Sequence, residues 1–95
     1  MSTAETLLEA AGMIRARGWC QGEFFDADGR VCAMGAIHRA AGWHEALIVA
    51  AERHLRSVVG RDVPGWNDAG GRKADEVIAA LEKAASLADQ ESIKA

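Results

Sequence analysis

At 95 residues, with a formal charge of −3 and a pI near 5.5, the chain has room for one domain with one core, since so short a polypeptide buries only about 60% of its unfolded surface. The negative balance and the scattered basic residues exclude long-range attraction for a polyanion, so neither nucleic acid nor, for want of roughly 18 consecutive apolar residues, a membrane is expected as a partner. Twenty Ala against five aromatics and no Tyr mean that small side chains fill most buried positions, leaving Trp19, Phe24, Phe25, Trp43 and Trp66 as the large anchors.

Ser2-Thr3-Ala4-Glu5 reads as a capping box, and Leu7, Ala11 and Ile14 follow at helical spacing. Gly18 is placed to end this first helix near Arg17 in a left-handed conformation, folding Trp19 back on Ile14. From Cys20 to Val31 the helical period vanishes, and Gln21-Gly22-Glu23-Phe24-Phe25 before Asp26-Ala27-Asp28-Gly29 predicts a short β-hairpin or an extended loop ending in a turn. A second helix is expected from Cys32 to Ala41, with Ala33, Met34, Ile37 and Ala41 inward and Gly42 as its stop. Gly35 in its middle costs about 1 kcal/mol relative to Ala unless another backbone approaches closely there, which is the reading adopted.

The third helix is expected from about His44 to Val59, with Leu47, Ile48, Ala51, Leu55 and Val58 inward, Glu52 and Arg56 paired outside, and Gly60 closing it. Residues 61–71 read as the one long irregular segment, ordered because Trp66 in its middle must pack on the body. A fourth helix begins near Lys73 or Ala74, with Asp75 and Glu76 at its positive end and Val77, Ile78, Leu81, Ala84, Ala85 and Ala88 as its stripe. Gln90 to Ala95 are expected to fray. The architecture expected is therefore mainly α, a compact four-helix single domain over residues 1–95.

Chemistry-bearing side chains are few. Two Cys in a chain without an export leader are expected to be reduced thiols, which places the protein in the cytoplasm. Cys32, at a helix start, would gain from the helix dipole, with His38 as base and Asn67 or Asp68 orienting it, so a Cys/His hydrolase or transferase would draw on Cys20, Cys32, His38 and Asp68. No catalytic role is assigned to them, because these residue types occur together in many chains of this size. A metal-stabilised domain would use Cys20, Cys32 and His38 with a carboxylate, but the spacing matches no closed zinc pattern and no metal ligand is assigned. Asp26, Asp28 and Gly29 lack the remaining ligands of a calcium loop, and Gly65, Gly70 and Gly71 lack the Lys and Ser/Thr of a phosphate loop, so no cofactor is expected.

Trp66-Asn67-Asp68 has the composition of both a packed turn and an interface hot spot. With Trp19, Phe24 and Phe25 it makes up the expected binding set, for an unidentified protein partner. Self-association through an Ala-rich helix face is compatible with the composition as well.

Three separated motifs, Gly18-Trp19-Cys20-Gln21-Gly22, Asp28-Gly29-Arg30-Val31-Cys32 through Gly35-Ala36-Ile37, and Trp66-Asn67-Asp68, together resemble the DUF6197 family, short proteins of unknown function from actinobacteria and their phages. An excess of Ala, and of Arg over Lys by eight to three, suits a GC-rich genome. The resemblance implies that Trp19, Cys20, Gly22, Asp28, Gly29, Cys32, Gly35, Trp66, Asn67 and Asp68 meet in the fold. It supplies no activity. Family members tend to carry a Thr cap before the last helix, where this chain has Lys73. The functional expectation is a small cytosolic protein-binding or regulatory module, acting on a bacterial host protein if the source is a phage.

Overall fold

Local capping chemistry sets most of the helix ends. Glu5 N donates to Ser2 Oγ at 3.1 Å and Ser2 N to Glu5 Oε1 at 2.8 Å, so the capping box is formed and opens α1 (Thr3–Arg17). A computed structural model describes the backbone of residues 1–94 and the side chains of residues 1–91. After α1 come α2 (Ala33–Ala40), α3 (Glu45–Val59), α4 (Val63–Asn67) and α5 (Ala74–Lys94).

The fold is mainly helical, as expected, but has five helices rather than four. The additional one, α4, lies inside the segment expected to be irregular. Asp62 caps it by accepting from Gly65 N at 2.7 Å, and Pro64, in its first turn, loses nothing by having no N–H because amides there have no intrahelical acceptor. Asp-x-Pro ahead of an aromatic was the legible signal for this short helix.

Between α1 and α2, where a short hairpin or an extended loop is expected, the chain forms a loop pinned by two isolated bridges that share Val31, parallel to Trp19 and antiparallel to Phe25. Cys20 N donates to Val31 O and Val31 N to Gly18 O on one side, while Cys32 N donates to Phe24 O on the other. Val31 is thus a single buried residue gripped from both edges, so no ladder extends from either contact. Gly18 has the positive φ of a helix stop, +91°, but its ψ of 165° is extended rather than left-handed helical, which sends the chain directly into the pairing with Val31. Gly60 does adopt the left-handed conformation at the end of α3, at φ 79° and ψ 10°.

Ahead of α5, Lys73 stands where a Thr cap would accept from the helix amides. Half of a capping box survives, because Lys73 N donates to Glu76 Oε1 at 2.9 Å. The helix is formed through Lys94, and Ala95 lies outside the described residues.

The core lies where α1 packs on α5 and α2, with α3 against α5, α1 and α2. Leu7, Ala10, Ala11 and Ile14 of α1, Ala36 and Ile37 of α2, Ala51 and Leu55 of α3, and Val77, Leu81, Ala84 and Ala85 of α5 are all buried. Leu47, Ile48 and Val58 of α3 are only half-buried, because that helix spreads its contacts thinly over α1, α2, α4 and α5 whereas α1 packs extensively on α5. A radius of gyration of 12.1 Å matches the roughly 12 Å of a compact chain of this length. No helix among the described residues is long and apolar enough to cross a membrane.

Candidate functional site

Asn67 is the one buried amide side chain, 1% exposed at the end of α4, and all of its bonding capacity is used. Its Oδ1 accepts from Trp19 Nε1 at 2.7 Å and from Ala33 N, the first residue of α2, at 3.0 Å. Its Nδ2 donates to Cys20 O at 3.2 Å and to Asp68 Oδ1 at 2.9 Å. The same Asp68 oxygen accepts from Gly22 N at 2.9 Å, and Gln21 Nε2 donates to the carbonyls of Asn67 and Ala69 at 3.0 and 3.1 Å. The Trp-Cys-Gln-Gly and Trp-Asn-Asp motifs therefore meet as a clasp that ties the segment after α1 to α4 and to the start of α2. An amide with two acceptor and two donor contacts, each made, has nothing left for a ligand. Trp66 is half-buried against the core; Arg72 covers its ring at 4.2 Å from the centroid and donates from Nε to the Trp66 carbonyl at 3.0 Å.

Both thiols face backbone. Cys20 Sγ lies 3.4 Å from Glu23 O and 3.5 Å from Arg30 O, and burial, with Cys32, Asp26 and Glu23 nearby, pushes its thiol up to about 11 against a partial offset from Arg30. Cys32 is the N-cap of α2, its Sγ accepting from Gly35 N at 3.3 Å. Burial raises its thiol as well; the amides of Gly35 and Met34 pull the other way, and Asp68 adds to the rise. Neither sulfur bonds to a histidine, and a thiol held in the neutral form is a poor nucleophile. His38 uses Nδ1 on the Met34 carbonyl at 2.8 Å and presents its ring to aromatic neighbours instead. Among the described residues no three His, Cys, Asp or Glu side chains gather as they would to hold a metal ion.

Asp26, Asp28 and Gly29 form the turn before Val31. Asp26 Oδ1 accepts from the amides of Asp28 and Arg30 at 3.0 and 2.9 Å, and its Oδ2 meets Arg30 Nε at 2.6 Å. Burial pushes the Asp26 carboxyl up, but the Arg30 guanidinium and the two amides outweigh it and hold it below the usual carboxylate range. A carboxylate held low in the folded state contributes stability above its unfolded value and loses it as pH falls through the folded one. Asp26→Asn should therefore lower the melting temperature at neutral pH, with the difference from wild type closing as the pH is taken below the usual carboxylate range in parallel thermal melts.

Outside the clasp, four rings gather at the surface, Phe24 and Trp43 exposed and Phe25 and His38 half-exposed. His38 lies 4.9 Å from Phe24 and 5.2 Å from Trp43 between centroids, and Phe25 lies 6.3 Å from both Phe24 and Trp43. The Arg39 guanidinium sits over Phe25 at 4.3 Å. Phe24 is 40% exposed and Trp43 59%, the most exposed aromatic of the chain. Trp43 is also the one non-glycine residue among those described with a positive φ, +65°, directly after Gly42 at +59°. A side chain in that region costs about 1–2 kcal/mol, offset in part by the turn that ends α2, where Trp43 N donates to His38 O at 3.1 Å, and by the contacts of the ring with Phe25 and His38.

Of the expected binding set, then, the structure exposes Phe24 and half-exposes Phe25, and it places Trp19, Trp66, Asn67 and Asp68 in or beside the clasp. Trp43 and Arg39 were missed. The available signal was a large ring between Gly42 and His44, in a connection too short for it to fold back under either helix.

No curated protein and no solved structure gives a significant match to the chain. The model of a family of unknown function, DUF6197, matches residues 1–87, which contain every residue of both the clasp and the aromatic face, and the chain belongs to that family.

Proposed function

We propose that the chain is a protein-binding or regulatory module of the cytoplasm, one that meets its partner through the exposed face of Phe24, Phe25, His38 and Trp43. The observation that carries this reading is Trp43: a ring 59% exposed on a backbone at φ +65°. The turn that ends α2 accounts for the backbone, where Gly or Asn would serve at less cost, but not for a large exposed ring at this position, and that choice supports a role outside the core. Aromatic rings with few rotamers are the usual anchors of such contacts, because little side-chain entropy is lost on binding. In a phage setting the partner would be a host protein.

The test is Trp43→Gly. Glycine accepts a positive φ freely, and that relief of about 1 kcal/mol offsets the roughly 0.5–1.5 kcal/mol of lost stacking, so the melting temperature should change little. A partner captured from host lysate by the wild type, and then reconstituted from purified components, should be lost by this variant. Equal retention by both proteins would remove the aromatic face from the interaction.

A further inference from the structure

The aromatic face carries one cation, and its state suggests what it recognises. Arg15, Arg30, Arg56, Arg61 and Arg72 each lie within 3.9 Å of a carboxylate of their own chain. The Arg39 side chain, like those of Arg17 and Arg53, has no ion pair or hydrogen bond among the described residues, but it alone of these three lies over a ring, with Phe25 4.3 Å from its guanidinium carbon. A guanidinium stacked on a ring keeps its in-plane N–H donors at the edge, where they match the two oxygens of a carboxylate. Stacking also fixes the group in advance, so less side-chain entropy is lost when an anion arrives.

Other uncommitted polar groups of the face lie nearby. His38 has Nδ1 on the Met34 carbonyl and Nε2 without a partner among the described residues, and Trp43 Nε1 is likewise unbonded. The acids adjoining the face in the chain differ in availability. Asp26 and Asp28 are taken by Arg30, while Glu23 and Glu45 precede Phe24 and follow His44 at the rim.

Resting on the reading of this face as the contact surface, we propose that its occupant is an acidic linear segment of the partner protein: an Asp or Glu carboxylate gripped by the edge of Arg39, beside an apolar side chain seated on Trp43. Long-range attraction does not drive this contact, since the chain is itself acidic at −3. Recognition is local, which suits one or two carboxylates on a peptide and not the continuous charge of a nucleic acid.

The experiment is to pan a phage-displayed random peptide library against the full chain, then to measure synthetic versions of the enriched peptides by fluorescence polarisation. Wild type, Arg39→Glu, Arg39→Lys and Trp43→Gly would be compared, each checked by thermal melt. Enriched peptides should carry Asp or Glu next to a large apolar residue. Arg39→Glu should weaken them about tenfold or more, the loss expected when a charge-assisted pair becomes a like-charge contact, and Arg39→Lys, which keeps the charge without the fork, should fall between. Peptides that need Trp43 yet show no acidic bias and bind Arg39→Glu normally would overturn the acidic segment while leaving the aromatic face in place. Peptides indifferent to Trp43→Gly would remove both. Enrichment of nothing, or tighter binding of a labelled oligothymidylate than of any peptide, would equally overturn the proposal.

Discussion

Asn67→Ala is expected to lower the unfolding free energy by about 3–5 kcal/mol, a large share of the roughly 5–15 kcal/mol available to a domain of this size. The reason is not the volume removed. Truncation leaves Trp19 Nε1 and Ala33 N without an acceptor and Cys20 O without its donor, all at a site 1% exposed. Each buried polar group left unpaired costs about 1–3 kcal/mol, and water entering the gap recovers only part of that.

Asn67→Asp makes the same point with shape preserved. The second carboxylate oxygen would face Cys20 O and Asp68 Oδ1, which now accept from Nδ2, so donation becomes repulsion. The new carboxyl would be held above its unfolded value, so its penalty is present at neutral pH and relaxes as acid protonates it. Urea unfolding followed by far-UV circular dichroism at neutral pH and at about pH 4, each referred to wild type at the same pH, measures both effects. A loss below about 1 kcal/mol for Asn67→Ala would mean that the clasp is replaceable by water.

Gly35→Ala is the second large effect, and local and tertiary reasoning give it opposite signs. Helix propensity alone makes the change favourable by about 1 kcal/mol, since Gly35 lies within α2 and has no positive φ to protect. Tertiary packing forbids it. An added Cβ would sit 2.9 Å from the Phe24 carbonyl carbon and closer still to its oxygen, and that oxygen accepts from Cys32 N at 3.1 Å, so the obstacle is a backbone already committed at the helix start. A net loss of about 2–3 kcal/mol is expected, in the range of overpacked sites with no flexible neighbour to yield. Because Phe24 would have to move, the variant should also disturb the aromatic face, visible as altered NMR shifts of His38 and Trp43. A variant as stable as wild type would show that the 24–25 segment gives way freely.

These two sites show where inference from sequence succeeds. The close approach at Gly35 was legible because a glycine inside a helix is a local anomaly that calls for a reason. Ser2 and Glu5 announced α1 through side chains three residues apart, and Gly60 ended α3 by the same kind of short-range chemistry. The Asp62 cap was equally local but stood before a segment rich in Gly and Pro, which hid a helix of five residues. Between hairpin and extended loop the sequence did not decide: a lost helical period before the Asp26–Gly29 turn fits both, and Val31 takes its partners from two separate stretches.

The positions of α1, α2, α3 and α5 and the inward stripe of α5 follow from sequence alone, because caps, stops and a 3.6-residue period act over a few residues. Which motif residues are sealed and which are offered to solvent was decided by tertiary structure. Asn67 bonds Trp19 from 48 positions away and Ala33 from 34, distances at which no local propensity operates, so its composition fitted a hot spot as well as a clasp. Trp43 and Trp66 are the same residue type beside glycines. Trp66 is covered by Arg72 and the core, and Trp43 meets only Phe25 and His38, because exposure is set by what the rest of the chain leaves uncovered.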